Sequence, residues 1–349
     1  MDEKKKRLSF QLDVSDFLSA GKEERQSLVI MRKSVSFWKD GLRRLKKNNI
    51  AMVSLAFILF VLIFAFIAPE FYPYTYEQQI RGSENLTPMS YSETELALKA
   101  EGKSVFPHIL GTDGMGRDVM VRLMMGSRVS LLVGIVASML ILLIGSIYGA
   151  VAGYFGGKTD MIMMRLVDII YTVPDILIII LLMVTLKYPL QSLATNVPAF
   201  AWIDTVGVGL ICIFIVFVML YWVGMSRIVR SQILMLKEQE YITAARALGA
   251  SHARIIKNHL LTNCMGTLIV TTTLQIPSAI FTESFLSFIG IGVAAPMPSL
   301  GSMASQAIGG ITSYPYRLLA PAVMISIIIL SFNLIGDGLR DAFDPKLKN

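Results

Sequence analysis

Six stretches of this chain run for about the length of a membrane crossing with almost no charge, and that pattern restricts the fold more than any other feature. A helix needs about 20 apolar residues to cross the hydrocarbon core of a bilayer. Asn48–Pro69 carries no charge between Lys47 and Glu70, and Val129–Gly157 carries none. Ile169–Leu186 holds only Asp175. Thr205–Ser226 is free of charge, as are Asn258–Thr282 (His259 taken as neutral) and Leu318–Gly336. These runs predict six transmembrane helices near 50–68, 130–152, 165–186, 206–225, 265–288 and 317–336. The class is an all-α polytopic membrane protein, because a helix satisfies its own backbone groups in lipid. Composition agrees. With 54% hydrophobic and 16% charged residues, a soluble domain could not cover its apolar surface, and a disordered chain is excluded.

The net charge of +7 is explained by where the basic residues fall. With the N-terminus inside, the segments before Ile50, around Lys158, from Met225 to Gly266 and after Gly336 hold 24 of the 32 Lys and Arg, and the outer segments hold 8. That bias predicts cytoplasmic N- and C-termini. The surplus is accounted for by orientation and by attraction to anionic lipid, so it calls for no nucleic acid. Lys4–Arg7 resembles the basic start of a signal peptide, but polar sequence follows, so the first span reads as an uncleaved anchor. Cys212 and Cys264 lie in apolar stretches and form no disulfide framework.

The polar segments divide the chain. Residues 1–49 read as a cytoplasmic tail, loosely ordered over 1–33, followed by a helix over Ser34–Lys47. There Trp38, Leu42 and Leu45 recur at helical spacing among Lys39, Arg43, Arg44, Lys46 and Lys47. Two readings fit that helix: an amphipathic helix on the inner membrane surface, or a plain positive-inside anchor. Residues 50–68 are the first span. Residues 69–128 are extracytoplasmic, with a surface excursion over Glu77–Glu101. They end in GTDGMGRDVMVRLMMGSR, read as a short interfacial helix capped by Asp113 and ended by Gly126. Residues 129–336 are a five-helix core, and 337–349 a cytoplasmic tail. The core is interrupted by a loop over 226–263, whose first helix runs to about Leu248. Gly249 stands at its C′ position and Ser251 caps a second helix. Tyr241, Ala244, Ala245 and Leu248 share one face of the first helix. This is a shallow, knobbed surface that a groove in another protein can approach, or that packs on its own chain.

Catalytic signatures are absent from the sequence. His108, His252 and His259 have no second ligand at metal spacing. No G-x-S-x-G elbow argues for a membrane-embedded hydrolase. Gly157-Lys158-Thr159 and Gly102-Lys103-Ser104 lack the first glycine of a phosphate loop, with Ala152 and Ala97 in its place. If this chain uses ATP, another subunit supplies the site. Asp168 and Asp175 fall on the third span and Glu283 on the fifth. Such groups line a path, as in a proton-coupled carrier, or pair between helices, with Arg165–Asp168 one candidate pair and Pro174 a kink.

Three segments carry a family resemblance. EYITAARALGASHARIIKNHLLTN resembles the EAA loop of ABC importer permeases: Ala244, Ala245, Gly249 and Leu261 match, while Thr243, His259 and Thr262 depart. Glu240-Tyr241 stands where peptide-type members carry a Glu-Tyr pair. HILGTDGMGRDVMVRLMMGSRVSLLVG (108–134) is similar to the segment leading into the core of peptide permeases. FTESFLSFIGIGVAAPMPSLGSM (281–303) and GDGLRDAFDP (336–345) complete the likeness. Together these segments resemble the integral-membrane permease subunits of bacterial ABC importers of the peptide/nickel family, most nearly the C-type oligopeptide permeases.

The resemblance implies a type I importer permease in the bacterial plasma membrane, with an EAA-type coupling hairpin. It implies a second homologous permease subunit, two cytoplasmic ATPase subunits and an extracytoplasmic substrate-binding protein as partners. It places ATPase coupling on Glu240, Tyr241, Ala244, Ala245, Leu248 and Gly249. It assigns transport of oligopeptides or dipeptides, with nickel chelates the alternative within the family and a proton-coupled peptide carrier the alternative outside it.

Overall fold

The computed structural model describes residues 36–293 and 297–343. The readings of the tail over 1–33 and of residues 344–349 lie outside the described residues, as does 294–296 within the 281–303 segment.

The described chain is helical, with two isolated bridges at Ser90–His108 and Thr112–Asp118. Among the described residues, six helical segments are long and apolar enough to cross a membrane. We number the principal helices α1 Phe37–Leu45, α2 Asn49–Phe66, α3 Glu93–Ala100, α4 Val119–Phe155, α5 Gly157–Thr172, α6 Asp175–Asn196, α7 Val208–Leu220, α8 Trp222–Leu236, α9 Glu240–Ala247, α10 Met265–Phe288, α11 Leu300–Ala307 and α12 Tyr316–Phe343.

Local chemistry sets most boundaries. Asn48 caps α2, its side chain accepting from the Ala51 amide at 3.1 Å. The expected interfacial helix before the second span is not separate: α4 runs unbroken for 37 residues from Val119. Its cap is Asp118, whose Oδ1 accepts from the Val121 amide at 3.0 Å, and not Asp113. Asp113 instead closes the preceding turn, accepting from the Met115 and Arg117 amides. Gly126 lies inside α4 rather than ending it. A Cβ there would come 3.2 Å from the Leu300 amide nitrogen, so the missing side chain admits the start of α11.

The third span begins later than expected and is broken rather than kinked. Val173 is extended (φ −87°, ψ 136°), and α6 starts after Pro174. Proline offers no backbone donor and disfavours helix in the residue before it. Residues 165–172 therefore belong to α5, and the span is Asp175–Asn196. The fourth span continues past Tyr221 into α8, absorbing 226–236 of the expected loop. The loop helix that was to reach Leu248 unbroken is divided, with α8 ending at Leu236 and α9 starting at Glu240.

Two apolar clusters hold the bundle. One joins α2, the start of α4, α10, α11 and α12 through Val61, Leu131, Ile280, Leu300 and Ile328. The other joins the rest of α4 to α6, α7, α8 and the loop through Ile141, Met183, Phe217 and Ile233. The α4–α8 seam depends on small residues. A Cβ would come 2.6 Å from Met225 Cβ at Gly145, 2.3 Å from the Ser226 carbonyl at Gly149, and 3.0 Å from the Arg230 carbonyl at Gly153. Four-residue spacing puts the three glycines on one face, and without side chains there the backbones approach closely. At the N-terminus, α1 lies on the end of α12. Gly41 faces the Phe343 ring, where a Cβ would stand 2.3 Å from Cε1, and Trp38 meets that ring edge-on at 5.8 Å.

Candidate functional site

The loop after α8 folds back as a helical hairpin against the end of the bundle formed by the C-termini of α4 and α8. Its inner side is anchored by Ile242, Ile255 and Leu260, all fully buried in the second cluster. Its outer side is bare. Leu248 is 89% exposed and Tyr241 41%; Glu240, Ala244 and Gly249 are also exposed, and Ala245 is half-buried. Burying Ile242 turns the opposite face of α9 outward, which is why these residues share one surface. The turn is local chemistry. Leu248 ends the helix and Gly249 takes φ +79°, a left-handed conformation that costs glycine little. Ser251 caps the next turn, accepting from the Arg254 amide. The second arm passes through a π-helical turn over Ile255–Leu260 and a short turn over Leu261–Asn263, which holds Thr262, before α10.

Polar contacts fix the hairpin to the bundle. The Tyr154 hydroxyl lies 2.8 Å from His252 Nδ1, and the Arg246 guanidinium sits over the Tyr154 ring. Lys237 Nζ donates to the Gly153 carbonyl at 3.0 Å. Asn263 Nδ2 donates to the Tyr241 hydroxyl at 3.1 Å. Arg230 on α8 forms an ion pair with Asp160 on α5. The result is an exposed helix on an anchored mount. The Tyr154–His252 bridge was not foreseeable from spacing, because its partners are 98 residues apart.

The three acidic residues of the spans are not brought together. Asp168 pairs with Arg227 on α8 at 2.9 Å, not with Arg165, and Tyr171 lies 4.4 Å beneath that guanidinium. Asp175 stands exposed at the start of α6. It lines a cleft of about 460 Å³ with Tyr171, Pro174, Tyr221 and Gly224. Glu283 is fully buried, its carboxylate accepting from Ser130 and Ser287 at 2.8 Å each and from Ser284 at 3.3 Å. It joins α10 to α4 inside the bundle.

The opposite end carries residues 69–118, which are tied down more firmly than an excursion would be. His108 is fully buried between two carboxylates, with Nδ1 2.7 Å from Asp118 and Nε2 3.1 Å from Glu95. The Tyr74 ring stacks on it at 4.4 Å. Burial lowers the affinity of this imidazole for a proton. The hydrogen bond and charge of Asp118, then of Glu95, outweigh that and hold His108 above its ordinary value. Glu95 also completes a capping box with Ser92 on α3. Among the described residues no group of three His, Cys, Asp or Glu could hold a metal.

Six spans, an exposed helix mounted on one end and a folded polar segment on the other define a polytopic membrane protein. Comparison with known proteins makes the class specific. Residues 142–349 match the family described as the inner membrane component of binding-protein-dependent transport systems. Residues 36–88 match the N-terminal transmembrane domain of oligopeptide transport permease C. The chain is 43% identical to the oligopeptide transport system permease protein OppC of Bacillus subtilis, over 91% of this chain and 93% of that one. It is 41% identical to the dipeptide transport system permease protein DppC of the same organism (95% and 93%). It is 35% identical to OppC of Escherichia coli K12 (89% and 92%). The chain belongs to the binding-protein-dependent transport system inner membrane components. It is a multi-pass inner membrane protein and a permease component, not an enzyme. Membership implies a binding protein and ATPase subunits as its partners.

Proposed function

We propose that the chain is one of two homologous permease subunits in an ATP-driven importer of oligopeptides or dipeptides. The peptide substrate is supported by the names of its relatives, OppC and DppC. The observation that carries the coupling role is Leu248, 89% exposed on a helix whose other side is buried. Leu248 and Tyr241 are bare together on one face of an anchored helix, which suits a protein partner. In this reading one ATPase subunit, of two in the assembly, receives the Tyr241–Gly249 knob in a groove. Glu240 lies at the rim, and Ala244 and Ala245 allow close approach. ATP and Mg bind in the ATPase subunits, and closure of their dimer moves the hairpin and switches the spans between two states.

The basic bias supports a cytoplasmic hairpin end and cytoplasmic chain termini. The 69–118 end is then extracytoplasmic and receives the substrate-binding protein. Asp168 and Asp175 are the path-lining candidates, since both are exposed and Asp175 lines a cleft. Glu283 we assign to holding α10 against α4. Reconstitution of the complete assembly tests the proposal. Peptide uptake should require ATP and the ATPase subunits. Uptake by this chain alone, driven by a proton gradient, would overturn it in favour of a secondary carrier. Uptake of nickel chelates in place of peptides would move the substrate within the family.

A further inference from the structure

Where the 69–118 segment meets α11 and the start of α12, a cavity of about 320 Å³ opens at the end opposite the hairpin. Three guanidiniums line it, those of Arg117, Arg122 and Arg317, against a single carboxylate, Asp113. Arg117 and Arg122 are both buried. Asp113 Oδ2 lies 2.7 Å from Arg117 Nε and 3.6 Å from Arg122 Nε, so one negative charge serves two buried positive ones. The same two guanidiniums converge on one neutral acceptor, Gln306 Oε1, at 3.1 and 3.2 Å. Arg317 lies over the Tyr314 ring at 4.2 Å and donates to Asn85 Oδ1. Its Nε is buried with no hydrogen-bond partner.

Buried charge without a counter-charge is costly, and an unmatched buried donor adds to the cost. A guanidinium presents paired donors that match a carboxylate. The remaining walls include Met115, Val119 and Met303, which suit an apolar group beside the anion. The volume exceeds what one carboxylate fills. We propose that this cavity binds the terminal carboxylate of a peptide arriving from the extracytoplasmic side, with the last side chain against the methionines. Calling the ligand a peptide rests on the function proposed above. The excess of guanidiniums over carboxylates does not.

The test is direct binding to the complete assembly in lipid nanodiscs, with trialanine as free acid and as C-terminal amide. The free acid should bind at least roughly tenfold more tightly, the range of a charge-assisted hydrogen bond. Arg317→Gln should abolish that preference and Arg317→Lys should keep part of it. Met115→Glu, at an exposed rim position, brings a competing carboxylate without disturbing the fold and should also abolish it. Equal binding of acid and amide by the unmodified assembly, or a preference that survives Arg317→Gln and Met115→Glu, overturns the proposal. Equal binding of acid and amide, combined with weaker attachment of the binding protein by Met115→Glu, would give the cavity to an acidic side chain of that protein and overturn the peptide assignment. The readout needs no transport, so failure of peptide uptake would sink the functional reading without deciding this ratio.

Discussion

The hydroxyl of Tyr154, one residue before the end of α4, lies 2.8 Å from Nδ1 of His252 in the hairpin. It joins the longest span to the loop that carries the exposed Leu248. A force on the hairpin therefore reaches α4 through a hydrogen bond as well as through buried Ile242 and Ile255. Tyr154→Phe and His252→Ala should leave a folded assembly that still hydrolyses ATP but imports several-fold less substrate per ATP. The bond is worth about 1 kcal/mol, enough to loosen the mount without dissolving it. An unchanged ratio of transport to hydrolysis in proteoliposomes would show that the apolar anchors carry the coupling alone.

Leu248 and Gly249 separate docking from turn geometry. Leu248→Glu changes only an exposed surface, so the protein should fold and melt normally while co-purification of the ATPase subunits falls at least tenfold. Gly249→Leu forces a branched side chain into φ +79°, at about 1–2 kcal/mol, and should also lose the ATPase by misdirecting α9. Undiminished capture of the ATPase by both variants would remove this helix from the interface.

The glycine seam between α4 and α8 gives a stability prediction. A side chain at Gly149 would meet the Ser226 carbonyl at 2.3 Å, and backbone cannot step aside cheaply. Gly149→Leu should cost about 2 kcal/mol or more and lower the melting temperature in detergent. Gly224→Leu adds the same side chain where nothing lies within 4 Å of a Cβ, and should melt close to the unmodified protein.

Charge patterning made the architecture legible, and its failures have physical reasons. The uncharged runs located all six spans because lipid tolerates few charges. They could not place helix ends, because a helix continues into polar sequence wherever tertiary contacts allow. α4 therefore begins at Val119, where Asp118 caps it, well before the uncharged run starts. Pro174 signalled a disturbance, but whether it kinked or broke the helix depended on what packs around it. The Gly145–Gly149–Gly153 spacing was visible in the sequence, yet only the course of α8 shows which helix it receives. Gly249 and Ser251 were readable because turn and cap chemistry is local. The convergence of Arg117, Arg122 and Arg317 on one cavity was not, since Gln306 and Arg317 reach it from far along the chain.

His108 offers a prediction in pH. Its imidazolium is held by Asp118, which also caps α4, and by Glu95, which caps α3. Because the folded pKa is raised above the unfolded one, the stabilisation is fully present below the unfolded value, about 6.5. It is lost as pH rises through the folded value. The 69–118 segment should then exchange its amide hydrogens faster, relative to the intrinsic rate, as pH is raised from 6 towards 9. His108→Gln keeps a hydrogen-bonding side chain but cannot charge. It should show the faster exchange already at pH 6 and little further dependence. A segment whose protection stays flat across that range in the unmodified protein would mean that His108 keeps one protonation state throughout and does not set the segment's pH dependence.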